Sequence, residues 1–136
     1  MHVTAYLFFN GNCAEALSFY EKAVGAKLGG SYTYGASPAA AHVPAEMKDK
    51  IINASFTIGD SELMASDCPP DKWFGKPTGF SLTIGTSSVE EAEKVFAALS
   101  DGASITMAMA PTFFAERFGQ LVDRFGVSWM VIFEKQ

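Results

Sequence analysis

Hydrophobic residues recur along this chain in two patterns, one typical of strands and one typical of helices, and the same order of patterns occurs twice. Apolar residues alternate with polar ones over 3–10 and then take helical spacing over 13–24. The second half repeats this order, with alternation over 79–84 and helical spacing that begins behind Ser87 or Ser88. A repeat of this length is a whole supersecondary unit, so two copies predict a pseudo-symmetric domain.

Each half continues with three more predicted strands. They cover residues 26–34, 50–58 and 61–66 in the first half, and residues 104–109, 118–123 and 127–134 in the second. Gly59 and Asp60 predict a tight hairpin turn. The stretch from Gly35 to Pro44 is irregular and leads to a short helical turn near 45–48, and residues 111–116 predict a second irregular or 3₁₀ turn.

The predicted unit is therefore β-α-β-β-β, present twice, which places the chain in the α+β class. Strand alternation also predicts which side chains share a face of the sheet. The residues expected to pack under the helices are Leu7, Phe9, Phe80, Leu82 and Ile84. The residues expected on the opposite, concave face are Tyr6, Phe8, Ser81 and Thr83.

Composition narrows the class of partner. The chain has 136 residues, 49% of them hydrophobic and 13% aromatic, which predicts a single well-filled domain. The formal net charge of −5 argues against nucleic acid, because phosphate neutralisation needs a basic face. No apolar run is long enough to span a membrane, and the start of the chain lacks a signal-peptide pattern. With only two cysteines, Cys13 and Cys68, we expect a reduced, cytoplasmic protein.

Several short motifs run through both halves. They are Leu7-Phe8-Phe9-Asn10-Gly11-Asn12-Cys13, Glu15-Ala16, Phe19-Tyr20, Ile58-Gly59-Asp60, Leu63-Met64-Ala65-Ser66-Asp67, Pro111-Thr112-Phe113 and Asp123-Arg124-Phe125-Gly126-Val127-Ser128-Trp129-Met130-Val131. Together with the paired units, they resemble the vicinal oxygen chelate superfamily of glyoxalase I, extradiol dioxygenases and bleomycin-resistance proteins. The closer resemblance is to its PhnB-like branch, also labelled demethylubiquinone methyltransferase-like.

This resemblance implies two βαβββ modules, at about 1–67 and 79–136 with a linker at 68–78, in a pseudo-twofold arrangement. It also implies a curled mixed sheet around a shared cavity, usually in a homodimer. Metal-using members of the superfamily place one His or Glu on the first and last strand of each module. The corresponding positions here are Thr4 or Ala5, Met64 or Ala65, Gly79 or Phe80, and Met130 or Val131. None of these side chains suits a hard divalent cation, so we expect no metal and no cofactor.

Other reactive side chains add little to this interpretation. His42 in its loop and Glu62 near the hairpin are read as solvated groups, although together they are the alternative by which a non-standard metal could be held. Asn53 can bond a ligand but cannot titrate. Cys13 opens a helix, where the dipole could lower its pKa, or it is a buried thiol of the capping region. The sequence lacks the glycine-rich turn with which methyltransferases of the Rossmann type bind their cofactor, so the methyltransferase label has no support from the sequence.

An apolar pocket with a few polar points remains as the predicted site. Its candidate ligand-binding residues are Tyr6, Phe8, Asn53, Met64, Ser66, Ser81, Thr83, Met107, Phe113, Phe114, Arg124 and Met130. Arg124 either anchors an anionic ligand group or pairs with the adjacent Asp123. The first hypothesis is a cytoplasmic, homodimeric protein that binds a small, partly aromatic molecule. The alternatives are a metal-dependent lyase, isomerase or dioxygenase with non-standard ligands, and a structural dimer whose concave face is filled.

Overall fold

A computed structural model describes residues 1–73 and 75–136, and these form two compact units, Met1–Phe74 and Gly75–Gln136. The elements of the first unit are β1 (Ala5–Phe9), α1 (Cys13–Val24), β2 (Lys27–Thr33), β3 (Ile51–Ile58) and β4 (Ser61–Asp67). Those of the second are β5 (Leu82–Gly85), α2 (Val89–Leu99), β6 (Ser104–Ala110), β7 (Ala115–Val122) and β8 (Ser128–Glu134). The α+β class and the two βαβββ modules are confirmed.

The first unit is a four-stranded mixed sheet in the order β1-β4-β3-β2. Strand β1 runs parallel to β4, whereas β3 is antiparallel to both of its neighbours. Helix α1 covers one face, where Tyr20 stacks on Phe56 of β3 with ring centroids 6.3 Å apart. Leu7 and Phe9 are buried on this same face, as predicted.

The second unit repeats this arrangement in the order β5-β8-β7-β6. Helix α2 lies against β7, where Phe96 packs over Gly119 so closely that an added Cβ would stand 2.7 Å from its ring. Leu121 of β7 pairs with Trp129 of β8, and both side chains are buried. Both units therefore have the same strand order, and each has one helix packed on one face of its sheet.

The hairpin at Gly59 is confirmed, because Ile58 pairs with Ser61 across a two-residue turn. Gly59 has a φ of 58°, a left-handed conformation that glycine adopts without a steric penalty. The position of Phe80 was predicted wrongly. Strand β5 begins only at Leu82, so Phe80 lies before the sheet with 58% of its surface exposed and does not pack under α2.

The loop between β2 and β3 is closed at its base. The backbone N–H of Tyr34 donates to the carbonyl of Lys50, and that of Gly35 donates to the carbonyl of Lys48, both at 2.9 Å. Within it lie two short 3₁₀ helices, Pro38–His42 and Ala45–Met47, of which only the second was predicted. The ends of the loop are thus held together independently of its middle.

The starts of the two helices are held in different ways. The backbone N–H of Cys13, the first residue of α1, donates to Asp67 Oδ1 at 2.9 Å, and Asp67 Oδ2 accepts from the N–H of Ile51 at the same distance. At the start of α2, the hydroxyl of Ser88 accepts from the N–H of Glu91 at 3.0 Å. Asn12 occupies the predicted cap position of α1, but its side chain makes no capping hydrogen bond.

Across the described residues, neither helix is long and apolar enough to cross a lipid bilayer.

Candidate functional site

Five of the predicted ligand-binding residues lie together on the face of the first sheet that points away from α1. We call this surface the Tyr6 face, and it consists of Tyr6, Phe8, Asn53, Met64 and Ser66. The strand register explains the grouping, because Tyr6 lies opposite Met64 and Phe8 lies opposite Ser66. The alternate residues Leu7 and Ala65 are buried beneath the helix.

Tyr6 is the centre of the contacts on this face. Asn53 Nδ2 donates a hydrogen bond to Tyr6 Oη at 3.3 Å, which joins β3 to β1 across the intervening strand β4. The ring of Tyr6 lies 4.9 Å from that of Phe8, with the two planes tilted by 34°. Phe8 is 58% exposed. The arrangement therefore presents an accessible aromatic surface beside a fixed polar group.

Tyr34, which the sequence interpretation missed, stands at the edge of this group. Its hydroxyl donates to the backbone carbonyl of Asp67 at 2.7 Å. Burial raises the pKa of Tyr34, and the nearby Cys68, Asp67 and Tyr6 raise that pKa further. Tyr34 consequently stays protonated at neutral pH. Nothing local marks it, because it follows a strand and its partner lies 33 residues away.

The second sheet carries a corresponding face, away from α2. Thr83 Oγ1 donates to Met130 Sδ at 3.5 Å, and the Ser81 and Ser128 hydroxyls are 2.5 Å apart. Gln120, which was not among the predicted residues, lies opposite Met130 in β7, and Met107 lies opposite Gln120 in β6. Hydroxyl, amide and thioether groups therefore alternate across this sheet.

Two aromatic side chains stand at the turn that leads into β7. Phe113 is 91% exposed and contacts Phe114 edge to face, with ring centroids 5.2 Å apart. Phe114 in turn lies 5.1 Å from Phe118. Thr112 holds the turn, since its hydroxyl accepts from the N–H groups of Phe114 and Ala115.

Arg124 lies in the turn between β7 and β8, against the segment that follows α2. Its Nη2 contacts Asp101 Oδ2 at 2.6 Å, and its Nε donates to the carbonyl of Asp101. The ion pair that the structure shows for Arg124 is therefore with Asp101, whereas one of the two alternatives from the sequence paired it with Asp123. The buried carboxylate of Asp123 accepts hydrogen bonds from the backbone N–H groups of Phe125 and Val127 and from the indole N–H of Trp129. It therefore holds the turn between β7 and β8.

The Cys13 thiol does not suit nucleophilic chemistry. The side chain is buried, and this burial, together with the negative charge of Asp67, raises its pKa to about 12. Of the two alternatives for Cys13, the structure agrees with the buried thiol of the capping region, because loss of solvation outweighs the helix dipole. A thiol is nucleophilic as its thiolate, so Cys13 acts as a small apolar core residue.

The register also decides between the two candidates left open at each closing strand. Met64 and Met130 lie opposite Tyr6 and Thr83 on the open faces, whereas Ala65 and Val131 are buried on the helix side. Soft thioethers at these two positions do not fit the hard divalent ion of the superfamily. Within residues 1–73 and 75–136, no three His, Cys, Asp or Glu side chains are placed to hold a metal ion.

The alternative pair His42 and Glu62 belongs to opposite ends of the first sheet. Glu62 lies opposite Thr57, at the hairpin end of β3, whereas His42 lies in the loop that enters β3 at Ile51. Thr57 is six positions after Ile51 along β3, a span of about 20 Å at about 3.3 Å per residue. The ends of β3 next to which these two residues occur are therefore far apart.

Comparison with known proteins identifies relatives over the whole chain. The sequence profile of the family described as 3-demethylubiquinone-9 3-methyltransferase matches residues 1–132. Protein YjdN of Escherichia coli strain K12 is 35% identical over 146 aligned positions, which cover 100% of this chain and 97% of that protein.

Solved structures extend the likeness to the fold. Protein PA1353 from Pseudomonas aeruginosa is 42% identical, covers 100% of this chain and 99% of its own, and superposes with a TM-score of 0.89. A putative 3-demethylubiquinone-9 3-methyltransferase, PhnB protein, from Bacillus cereus is 25% identical over 98% of this chain and 99% of its own, with a TM-score of 0.80. The profile match and the PhnB protein confirm the predicted PhnB-like resemblance. A glyoxylase/bleomycin resistance protein/dioxygenase domain from Frankia sp. EAN1pec, 11% identical over 99% of this chain and 98% of its own with a TM-score of 0.70, shares the fold alone.

Proposed function

Because the chain belongs to the 3-demethylubiquinone-9 3-methyltransferase family and is PhnB-like, with the glyoxalase fold, we propose that it is a binding protein for a small, partly aromatic molecule held on the Tyr6 face. The observation that carries the proposal is the exposed ring of Phe8 beside Tyr6, whose hydroxyl is fixed by Asn53. Apolar walls with a few positioned polar groups are typical of small-molecule sites.

The composition of this face supports binding of an aromatic ring. Rings prefer tilted or offset contacts with centroids about 4.5–7 Å apart, and Tyr6 and Phe8 already adopt this geometry with each other. Met64, which lies opposite Tyr6 on β4, adds a polarizable thioether that makes favourable contacts with aromatic rings. A third ring placed against these side chains gains the same kind of contact.

Methyl transfer of the Rossmann type is a weaker interpretation of the family's description. A doubly wound sheet binds its cofactor where parallel strands with helices on both faces reverse their order. Here each unit has one helix on one face, and its sheet is mixed, with two of the three strand pairs antiparallel. The proposal therefore relies on the Tyr6 face and not on the activity in the description.

A titration with 2-naphthol tests the proposal, using backbone amide shifts in nuclear magnetic resonance spectra of the full chain. We expect saturable shifts at β1, β3 and β4, and we expect Phe8→Ala to weaken the affinity about tenfold, as for one aromatic contact. Phe80→Ala is the matched control, because Phe80 is also 58% exposed but precedes the second sheet. Equal losses in both variants, or no saturable shifts in this face, would refute the proposal.

The proposal includes a cytoplasmic homodimer. Strand β6 supports the dimer, because it is the edge strand of its sheet and exposes 54% of Ile105 and 46% of Met107. Exposed edge strands with apolar side chains commonly pair with another chain. Light scattering during gel filtration measures the mass directly, and a monomer at micromolar concentration would contradict this part of the proposal.

A further inference from the structure

The three asparagines of the chain differ in the residue that follows each of them. Asn10 precedes Gly11, Asn12 precedes Cys13, and Asn53 precedes Ala54. The backbone nitrogen of the next residue can attack the side-chain amide of an asparagine, and glycine leaves the most room for this attack because it has no Cβ. The three sites also differ in how firmly the fold holds the amide and the attacking nitrogen.

Asn10 and Gly11 connect β1, which ends at Phe9, to α1, which begins at Cys13. Asn10 is exposed, and its side-chain amide makes no hydrogen bond with any residue that the structure describes. The backbone N–H of Gly11 likewise has no acceptor within residues 1–73 and 75–136. A Cβ added to Gly11 would lie 3.9 Å from the end of the Lys50 side chain, which is ordinary contact. Both reacting groups are therefore free to approach each other.

The nitrogen that follows Asn12 is held by the fold. The N–H of Cys13 donates to Asp67 Oδ1 at 2.9 Å, and both of these residues are buried. The carbonyl of Asn12 accepts from the N–H of Ala16 at 3.0 Å, in the first turn of α1. Attack by the nitrogen of Cys13 would require α1 to open at its start, so folding should protect Asn12.

Asn53 is held at both reacting groups. Its Nδ2 donates to Tyr6 Oη at 3.3 Å, which fixes the amide that would be attacked. The next residue, Ala54, is buried and pairs with Ser31 of β2 and with Ala65 of β4, so its backbone belongs to the sheet on both sides. Strand β3 would have to separate from the sheet before the nitrogen of Ala54 could turn toward Asn53.

From this comparison we infer that Asn10 is a site of spontaneous modification, at which the protein deamidates in its folded state. The nitrogen of Gly11 bonds to Cγ of Asn10, the Cγ–Nδ2 bond breaks, and ammonia leaves with the proton of the Gly11 N–H. Water then opens the resulting cyclic imide at either carbonyl, which gives aspartate or isoaspartate. Either product places a carboxylate two residues after Phe8 and next to Gly11, whose carbonyl binds the Lys50 ammonium. The reaction needs no ligand, so it is independent of the proposed function.

Mass spectrometry measures the rate at each asparagine after the full chain is incubated in buffer or in concentrated guanidinium chloride and then digested. In buffer we expect Asn10 to react at least about tenfold faster than Asn12 and Asn53, a difference of about 1.4 kcal/mol in activation free energy. Unfolding should speed the reaction at Asn12 and Asn53 and change the rate at Asn10 by less than about tenfold. If folding slows Asn10 as strongly as the other two, the inference is overturned.

Asn10→Gln and Asn12→Gln are matched variants, because glutamine retains the amide but closes a larger ring slowly. Asn12 makes no side-chain capping bond, so its replacement should leave α1 intact. Each deamidation lowers the formal net charge of −5 by one, so ion exchange separates the product. Asn10→Gln should remove this acidic product, whereas Asn12→Gln should leave its rate of formation unchanged. An acidic product that accumulates at the original rate in Asn10→Gln would place the modification elsewhere and contradict the inference.

Discussion

Helices α1 and α2 occupy the same place in two similar modules, yet they are fastened by bonds of very different range. The first N–H of α1 is held by Asp67, 54 residues away, whose second oxygen binds the start of β3. The start of α2 is held by Ser88, whose hydroxyl accepts a hydrogen bond from the N–H of Glu91, three residues later. One fold thus satisfies the same backbone requirement once through tertiary structure and once locally.

The difference shows what each bond does for its module. Ser88 stabilises its own helix, as any serine at that position does. Asp67 is buried, and its side chain ties α1 to β3 while its backbone carbonyl accepts from Tyr34. Loss of Asp67 should therefore affect several elements at once, whereas loss of Ser88 should affect one helix end.

Replacement of Asp67 by alanine is expected to have the largest effect. It leaves the buried N–H groups of Cys13 and Ile51 without an acceptor, and each such group costs about 1–3 kcal/mol. We expect the free energy of unfolding in urea to fall by about 3 kcal/mol. Asp49→Ala, at an exposed aspartate, is the control and should change little. A loss no larger than that of Ser88→Ala would refute the comparison.

Alkaline pH provides a second test of the same corner. The pKa of the Cys13 thiol is about 12 in the folded protein, whereas the thiol of an unfolded chain has the ordinary pKa of 9.0. Above pH 9 the unfolded state therefore binds fewer protons, and stability falls as pH rises toward 12. The expected loss at pH 10 is about 1.4 kcal/mol. Urea unfolding at several pH values should show a shallower decline for Cys13→Ala, and an unchanged slope would contradict this expectation.

Replacement of the local cap tests the other side of the comparison. Ser88→Ala should lower the free energy of unfolding by about 1 kcal/mol, the usual cost of losing a cap. Asn12→Ala is its matched control, because Asn12 has the same position before α1 but makes no side-chain capping bond. Near-equal losses in the two variants would show that Asn12 caps its helix after all.

The smallest effect is expected at the far end of α2. Arg124 pairs there with Asp101, and both side chains are substantially exposed. Because solvent screens such pairs, Arg124→Ala should cost about 1 kcal/mol or less, and added salt should reduce the cost further. Arg117→Ala, which breaks the pair with Glu93, should behave alike in thermal unfolding. A loss of several kcal/mol at Arg124 alone would mean that the pair is structural.

Local patterns predicted most of the fold. The helix over 13–24 was predicted with its observed bounds, since an acidic first turn and Gly25 at its end are both visible in the sequence. Strand β7 begins at Ala115, three residues before its prediction, because the hydroxyl of Thr112 shortens the preceding turn. The first 3₁₀ helix was missed although Ser37 followed by proline is a local starting signal.

Long-range contacts account for what the sequence did not predict. Alternation placed Tyr6 and Phe8 on one face, but the bond from Asn53 to Tyr6 joins residues 47 positions apart. The role of Asp67 depends on partners 54 and 16 residues away, so no local spacing indicates it. The sequence offered the neighbouring Asp123 as one possible partner of Arg124, whereas the ion pair in the structure is with Asp101, 23 residues distant.

The closed base of the loop between β2 and β3 has a consequence for how this protein can vary. Since the bonds from Tyr34 to Lys50 and from Gly35 to Lys48 hold the two ends together, the chain between them is free to change length. Doubling a flexible loop costs only about 0.6 kcal/mol of closure entropy. Insertions after Val43, between the two short 3₁₀ helices, can therefore be accommodated without disturbing the register of β3, which makes this loop the natural point for grafting a new segment onto the module.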